Sequence, residues 1–230
     1  MDSQEETANY LGLSDRVVRL SRQAESGLKE QFDQVDQIAF YNSQKVLSAF
    51  QKQRVAEGCF AGTTGYGYDD RGREVLEAVY ADIFHTEDAL VRIGFVNGTH
   101  AIATALFGVL RPGDVLLSAT GTPYDTLLGV IGIQGGGNGS LMDFGISYRQ
   151  AELTDSGEPN LGEIAKAASD PQIKAILVSR SRGYTQRPSL SVSQIGDICA
   201  LIKRVNPKAY ILVDNCYGEF VEPREPTDVG

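Results

Sequence analysis

Two short segments, far apart in the chain, carry residue types that could hold a phosphorylated and positively charged heterocycle. Asn97, Gly98 and Thr99 form a small-residue turn that opens a predicted helix. The unpaired N–H groups and the positive end of such a helix attract a phosphate. Asp214 ends the apolar run 211–214, at the carboxyl end of a predicted strand, where open α/β sheets hold ligands. A phosphate cradle and a carboxylate for a ring nitrogen together predict a site for pyridoxal phosphate.

Motifs for other common uses of an α/β sheet do not occur in the sequence. Gly65 and Gly67 do not continue as G-x-G-x-x-G, nor do Gly135 and Gly137, so the dinucleotide fingerprint is missing. Neither a P-loop nor a G-x-S-x-G nucleophile motif is found. Two histidines and three cysteines without CxxC spacing make a metal site an unfavourable interpretation, and the same cysteines indicate a reducing compartment.

Composition and charge limit the classes of partner. The chain has 230 residues, of which 42% are hydrophobic and 22% charged, as in ordinary globular domains. Its formal net charge of −9 argues against nucleic acid or an anionic membrane as the main partner. Neither an apolar run of membrane-spanning length nor a signal-peptide pattern is visible, so we expect a cytoplasmic protein that acts on a small molecule.

The elements that must position these residues follow from the apolar periodicity. Residues 1–57 are predicted to form a helical N-terminal arm, which packs on the main domain or on a partner subunit. In residues 58–230, helices and strands alternate, which predicts an α/β fold with a mainly parallel sheet sandwiched by helices. The predicted strands are 90–96, 115–119, 147–153, 173–179 and 209–215. The predicted helices are 73–84, 98–110, 122–133, 161–168 and one capped by Ser191 or Ser193 that runs to residue 205.

Three motifs, in this order and spacing, carry a family resemblance. They are residues 65–73 (GYGYDDRGR), residues 97–101 (NGTHA) and residues 213–215 (VDN). The chain resembles the pyridoxal-phosphate-dependent cystathionine and methionine lyases of fold type I. Within them it is most similar to the methionine-γ-lyase-like family often labelled aluminium resistance proteins. The resemblance runs from about residue 10 to the end of the chain, and it implies a carbon–sulfur lyase that acts on a sulfur amino acid.

The resemblance also implies roles for single residues around the cofactor. Asn97, Gly98 and Thr99 match the phosphate-binding turn, and Asp214 matches the acid that bonds the pyridine nitrogen; a plain helix start and a plain turn cap are the alternatives. Tyr124 matches the aromatic residue that stacks on the cofactor ring, with ordinary packing as its alternative. The remaining cofactor-binding candidates are Tyr66, Tyr68 and Arg73, which resemble a Tyr/Arg pair that reaches the phosphate of a neighbouring subunit. Their spacing departs from the Tyr-x-Arg pattern, and solvated charge at a helix start is the competing interpretation.

Substrate binding is assigned to the segment that follows the predicted strand 173–179. Arg180, Arg182 and Tyr184 are the candidates, because two guanidinium groups there could take a substrate carboxylate or the O3′ region of the cofactor; a solvated loop is the alternative. His100 lies in the first turn of a predicted helix and receives no catalytic role.

Enzymes of this fold need a lysine that carries the cofactor, and none follows Asp214 in this sequence. The lysines are Lys29, Lys45, Lys52, Lys166, Lys174, Lys203 and Lys208. We therefore expect the chain to be the N-terminal part of a longer enzyme, truncated before the lysine strand and a C-terminal small domain, with the lysine beyond Gly230. By itself the chain is expected to be inactive. A non-catalytic cofactor-binding or oligomerisation fragment is the alternative function, and the parent is expected to form a homodimer or homotetramer.

Overall fold

The computed structural model describes residues 11–66, 70–135, 137 and 139–230. The chain divides into two compact units, Met1–Gln44 and Lys45–Gly230, with the boundary inside a long helix. The α-helices are α1 (Asp15–Gly27), α2 (Lys29–Lys52), α3 (Arg71–Phe84), α4 (Gly98–Val109), α5 (Asp125–Ile131), α6 (Leu161–Ala168) and α7 (Val192–Val205). The strands are β1 (Val115–Ser118), β2 (Ser147–Gln150), β3 (Ile173–Ser179) and β4 (Tyr210–Asp214). Short 3-10 helices cover Glu57–Phe60, Met142–Phe144 and Pro226–Asp228.

The first unit contains α1 and the first part of α2. α1 ends at Gly27 and contains no buried residue. Ser14 occupies the N-cap position of α1, although its side chain makes no capping hydrogen bond. Apolar side chains such as Val17 and Phe32 remain about half exposed.

Four parallel strands form the sheet in the second unit, in the order β2-β1-β3-β4. β1 is separated from β2 by α5, β2 from β3 by α6, and β3 from β4 by α7. Parallel neighbours require such long connections, because the chain must return to the same end of the sheet before the next strand begins. The predicted α/β class with a mainly parallel sheet is confirmed.

Alternate residues of the central strands point to opposite faces of the sheet, and each face has its own core. Leu117, Ile176 and Val178 pack with α6 and α7 residues such as Ile164 and Ile198. On the other face, buried β1 and β3 residues join side chains of α4 and α5; they include Leu106, Leu116, Leu127, Ile131 and Leu177. A sheet covered on both faces explains why β1 and β3 read as continuous apolar runs.

The prediction of a strand over residues 90–96 is wrong. In the part of the chain that the structure describes, this segment pairs with no strand, and Ile93 and Val96 are 98% and 78% exposed. The Val91 N–H donates to a carboxylate oxygen of Glu77 at 2.9 Å instead of to a sheet neighbour. Apolar and β-branched residues favour extended backbone, but a strand forms only where another strand supplies its hydrogen bonds.

The helix predicted over residues 122–133 is shorter than expected. α5 begins at Asp125, because the backbone of its N-cap residue Tyr124, with φ of −56° and ψ of 146°, is not helical. α5 ends before Gly132, whose φ of +104° suits glycine and stops the helix. A Cβ there would also come within 2.5 Å of the Ser140 hydroxyl oxygen.

Among the described helices, none is both long and apolar enough to cross a membrane.

Candidate functional site

A cavity of about 460 Å³ lies at the carboxyl ends of β3 and β4 and beside the starts of α4 and α5. Its walls come from four segments: Gly98, Thr99 and Ile102; residues 122–128; Ser179, residues 181–185 and Arg187; and Asp214, Cys216 and Tyr217. Ser179 and Asp214 are register partners in neighbouring strands, which brings the two strand ends together. The position agrees with the general rule that open α/β sheets bind ligands outside the carboxyl ends of their strands.

The first turn of α4 presents free backbone donors to this cavity. The Asn97 side chain caps the helix by accepting the His100 N–H at 2.8 Å, and the Asn97 carbonyl accepts the Ala101 N–H at 3.2 Å. Within the described part of the chain, the N–H groups of Gly98 and Thr99 have no acceptor. The Thr99 hydroxyl lies 2.6 Å from that of Thr126, which adds two hydroxyl groups at the same place. The arrangement can bind a phosphate through two N–H donors and the positive end of the helix dipole.

Asp214 supplies a carboxylate to another wall of the cavity. Its Oδ1 accepts the Cys216 N–H at 3.1 Å, which fixes the side chain at the end of β4. Its main-chain oxygen accepts the Arg180 N–H at 2.9 Å. No donor among the described residues reaches the Asp214 Oδ2 atom. One carboxylate oxygen is therefore available to a ligand group that donates a proton.

Tyr124 and Tyr184 form an aromatic pair at the same cavity. Their ring centroids are 6.0 Å apart with an interplanar angle of 33°. The hydrogen bond with Tyr184, then burial and the charge of Asp125, raise the pKa of Tyr124 to about 12, so its phenol is neutral at physiological pH. Gly183 approaches Tyr124 closely, because a Cβ at this residue would come within 3.3 Å of the Tyr124 ring. Its φ of +55° also favours glycine.

The two arginines assigned to substrate binding lie in different surroundings. Arg182 lines the cavity and is exposed. Arg180 is only 4% exposed and does not line the cavity. Its guanidinium donates to the Leu190 and Gly218 carbonyls and to the side chains of Asn215 and Glu222, at 2.6 to 3.1 Å. These contacts assign Arg180 to joining the ends of β3 and β4, and the structure does not bring it to the site.

Tyr66 and Arg73 of the predicted Tyr/Arg cluster do not line the cavity. Tyr66 is 83% exposed in the loop before α3. Arg73 lies in the first turn of α3, where its Nη2 is 3.0 Å from the Asp70 carboxylate. Tyr68 falls outside the described residues. A role of this cluster at the phosphate of a neighbouring subunit stays a prediction.

Several cavity residues were missed by the sequence reasoning. Cys216 and Tyr217 follow Asp214 at once, so the rule for strand ends could have included them. Partial burial and the nearby charges of Asp214 and Glu219 raise the pKa of the Cys216 thiol, which keeps it protonated. Arg187 is 8% exposed and also lines the cavity. No sequence pattern pointed to it, because it lies in an irregular loop eight residues after the end of β3.

The sequence and fold of this chain were compared with those of known proteins. The family model for methionine gamma-lyase matches residues 17–230. The uncharacterised protein YnbB of Bacillus subtilis (strain 168) is 48% identical over 198 residues, which cover 86% of this chain and 47% of YnbB. A crystal structure of a carbon-sulfur lyase involved in aluminium resistance from Clostridium novyi NT is 46% identical, with a TM-score of 0.93. That match covers 100% of this chain and 55% of the lyase.

A more distant likeness concerns the fold alone. The pyridoxal-5'-phosphate-dependent protein YhfS of Escherichia coli has a TM-score of 0.59 at 22% identity, over 85% of this chain and 48% of YhfS. The chain spans about half the length of each of these relatives. The resemblance noted from the three motifs is confirmed: this chain belongs to the methionine gamma-lyase family.

Proposed function

We propose that this chain is the cofactor-binding part of a pyridoxal-phosphate-dependent carbon–sulfur lyase that acts on a sulfur amino acid. The observation that carries the proposal is the convergence of two groups on one cavity. These groups are the unpaired N–H pair at the start of α4 and the available carboxylate oxygen of Asp214. Family membership and the carbon–sulfur lyase among the similar structures support the same reaction class.

The residues present fit pyridoxal phosphate. The cavity volume of about 460 Å³ lies in the range typical of small-molecule sites, roughly 300–1,000 Å³. Gly98 and Thr99 would bind the phosphate through their N–H groups. The Thr99 and Thr126 hydroxyls are hydrogen-bonded to each other, so one of the two keeps its proton for a further bond to the phosphate. A side chain at Gly98 would point into open space, so a ligand can approach this part of the backbone.

When bound, pyridoxal phosphate supplies an electron-withdrawing ring that stabilises a carbanion next to the amino group of the substrate. The Asp214 carboxylate would keep a proton on the ring nitrogen, because an anion beside that atom favours its protonated form. Tyr124, as a neutral phenol, offers a flat apolar face that would orient the ring and exclude water from one side.

We assign substrate recognition to the loop that follows β3. Arg182 and Tyr184 line the cavity and belong to the proposal as residues close to the substrate. Arg180 is left out, because its donors contact acceptors of this chain.

A second candidate function is cofactor binding without turnover. No lysine occurs among the described cavity residues, so the amine that must hold the cofactor in such lyases is not supplied by these walls. We therefore assign cofactor binding to this chain and turnover to the longer protein that contains it. Pyridoxal phosphate binding by the 230-residue chain, together with turnover by only the longer protein, would support this division.

The test is Asp214→Asn in the longer protein. We expect turnover of methionine, cystathionine or cysteine to fall by at least about a hundredfold, or about 3 kcal/mol in barrier, because an amide cannot stabilise the protonated ring nitrogen. Pyridoxal phosphate binding should remain within a few-fold of wild type, since the phosphate donors are unchanged. The measurements are 2-oxoacid release and the absorbance of the bound cofactor.

Asp155→Asn is the matched control, because Asp155 is an exposed turn carboxylate away from the cavity lining. It should leave both turnover and cofactor binding unchanged. Wild-type turnover in Asp214→Asn would assign Asp214 to a structural role and contradict the proposed function.

A further inference from the structure

Tyr217 lies at the wall of the cavity in a backbone conformation that glycine usually adopts. The Gly218 N–H donates to the Asn215 carbonyl at 2.7 Å, so residues 215–218 form a tight turn directly after Asp214. Tyr217 is the third residue of this turn, with φ of +67°. In this left-handed region the Cβ of an L-residue comes too close to the following carbonyl oxygen. The backbone of the turn therefore favours glycine over tyrosine.

Packing within the chain does not explain why a tyrosine stands at this position. Phe220 has a similar φ of +62°, and its ring packs on the Phe84 ring, with the centroids 5.7 Å apart, and beneath the Lys45 ammonium. Tyr217, in contrast, is 86% exposed, so its ring contributes little to the core. A side chain that keeps an unfavourable backbone conformation without packing inside the fold indicates a function for that side chain.

The Tyr217 ring belongs to an aromatic wall of the cavity. Tyr124 and Tyr184, whose rings form a pair, line the same cavity. The hydrogen bond with Tyr184 is the largest cause of the raised pKa of Tyr124, and the phenol of Tyr217 is among the smaller causes, so the three phenols lie near one another. Tyr184 is 89% exposed as well, so it lies with Tyr217 on the open side of the cavity.

The ligand group that suits an exposed aromatic ring is apolar. The contacts proposed for pyridoxal phosphate use the start of α4, Asp214 and Tyr124, so they leave Tyr217 without a cofactor contact. The amino and carboxylate groups of an amino acid are charged and require polar partners. The side chain of a thioether amino acid ends in a sulfur atom and an alkyl group, and both make favourable contacts with an aromatic ring.

We propose that Tyr217 binds the apolar group attached to the sulfur atom of the substrate and thereby sets a preference for thioether amino acids with longer alkyl groups on sulfur. The inference rests on the proposed function, because it needs an amino acid in the cavity beside the cofactor. Tyr217 is a specificity-determining residue in this assignment and takes no part in bond breaking.

The test uses three unreactive amino acids that differ only in the length of an unbranched side chain. L-2-aminobutyrate ends before the position of the sulfur in methionine, L-norleucine replaces that sulfur by a methylene group, and L-2-aminooctanoate extends further. Their Kd values are measured by calorimetry on the longer protein loaded with pyridoxal phosphate. Full burial of one methylene group increases affinity about fourfold, so we expect the wild-type affinity to rise at least about threefold at each step.

Tyr217→Gly removes the ring and suits the backbone of the turn. We expect the rise in affinity from aminobutyrate to aminooctanoate to become at least about fivefold smaller, because the added methylene groups lose the ring that covers them. Aminobutyrate itself should bind within about threefold of its wild-type affinity. The urea midpoint of unfolding should be unchanged or higher, since glycine adopts the left-handed conformation without strain.

Two further variants separate the ring from the backbone of the turn. Tyr217→Phe keeps the ring, so it should keep the rise in affinity within about twofold of wild type. Tyr217→Asn removes the ring and tolerates a positive φ, so it should show the same loss as Tyr217→Gly and replaces that variant if the latter does not fold.

Phe220→Gly is the matched control, because it removes an aromatic ring from the same left-handed conformation at a residue that does not line the cavity. It should lower the urea midpoint, since the contact with the Phe84 ring is lost, and it should leave the rise in affinity unchanged.

Several results would overturn the inference while leaving the proposed function in place. They are equal affinities for the three amino acids in wild type, an unchanged rise in Tyr217→Gly, an equal loss of affinity for all three amino acids, a loss confined to pyridoxal phosphate affinity, and a reduced rise in Phe220→Gly as well. Failure of the wild-type protein to bind pyridoxal phosphate would instead overturn the proposed function and this inference together.

Discussion

Single residues in this protein are held mainly by hydrogen bonds to the backbone. Asp143 is the clearest case outside the cavity. One of its carboxylate oxygens accepts the N–H groups of Gly137, Gly139 and Ser140, at 2.9 to 3.1 Å, and the Ser140 hydroxyl at 2.8 Å. The backbone and side-chain hydrogen bonds from Ser140, followed by that from Gly139, lower the pKa of Asp143 to about 2. The carboxylate thus ties the glycine-rich segment to the 3-10 helix at Met142–Phe144.

The hydrogen bonds to the Asp143 carboxylate predict that part of the free energy of unfolding depends on pH. The pKa of Asp143 is lower in the folded chain than its ordinary value of 3.8. The ionised carboxylate therefore stabilises the fold above about pH 4, and this stabilisation is lost as the pH falls towards 2. Asp143→Asn should therefore lower the free energy of unfolding at pH 6, with a smaller difference from wild type at pH 3. Urea unfolding at the two pH values measures this, with Asp155→Asn as the control that removes an exposed turn carboxylate. An Asp143→Asn effect of the same size at both pH values would contradict the prediction.

Among the helices, α7 shows how local sequence and burial combine. The Ser191 hydroxyl accepts the Gln194 N–H, and the Gln194 side chain accepts the Ser191 N–H, which completes a capping box. Ile195, Ile198 and Ile202 are buried on one side of the helix against the sheet. The cap fixes the residue where α7 begins, and the apolar stripe fixes the face that it buries.

The cap predicts a difference between two neighbouring serines. Ser191→Ala should lower the free energy of unfolding by about 1 kcal/mol, because the Gln194 N–H loses its acceptor. Ser193→Ala is the matched control: Ser193 is exposed in the first turn, and its change should stay within about 0.5 kcal/mol. Urea denaturation of the two variants measures both values. Equal effects would show that the hydroxyl of Ser191 does not stabilise the helix end.

At the scale of the whole molecule, apolar side chains remain uncovered on the long helix α2. Val35, Phe40 and Leu47 are each at least 60% exposed. Large exposed apolar patches mark interaction surfaces, and contact with another chain removes such a patch from water. We propose that the longer protein forms at least a dimer, with the helical arm and residues 62–73 at the interface.

The assembly prediction is tested by sedimentation at micromolar concentration. Wild type should sediment as a dimer or larger, and Phe40→Asp should shift the protein towards monomer, because a charge would be buried at the interface. Gln34→Asp adds the same charge at another exposed position of α2 that carries no apolar side chain, and we expect it to keep the wild-type mass. A wild-type protein that is monomeric at this concentration would refute the proposed assembly.

Local patterns in the sequence were sufficient to predict much of the fold and part of the candidate site. The continuous apolar run of β3 and the apolar spacing of α6 predicted both elements with their observed bounds. Gly98, Thr99 and Asp214 line one cavity, as expected for groups at helix starts and strand ends, and Tyr124, which the family resemblance implied, lines it too. These features depend on residues within one turn or one strand, so a local pattern contains the necessary information.

The other features of the fold and of the site depend on contacts between residues that are distant in the sequence. Residues 90–96 have the composition of a strand, but strand formation also requires a hydrogen-bonding neighbour, which no local pattern reports. Arg180 and Arg187 are both arginines in the segment after β3, yet only Arg187 lines the cavity. Arg180 donates to Asn215, Gly218 and Glu222, which are 35 to 42 residues away. Arg180 is held away from the cavity because these acceptors surround its buried guanidinium, and a local pattern does not report acceptors that lie so far along the chain.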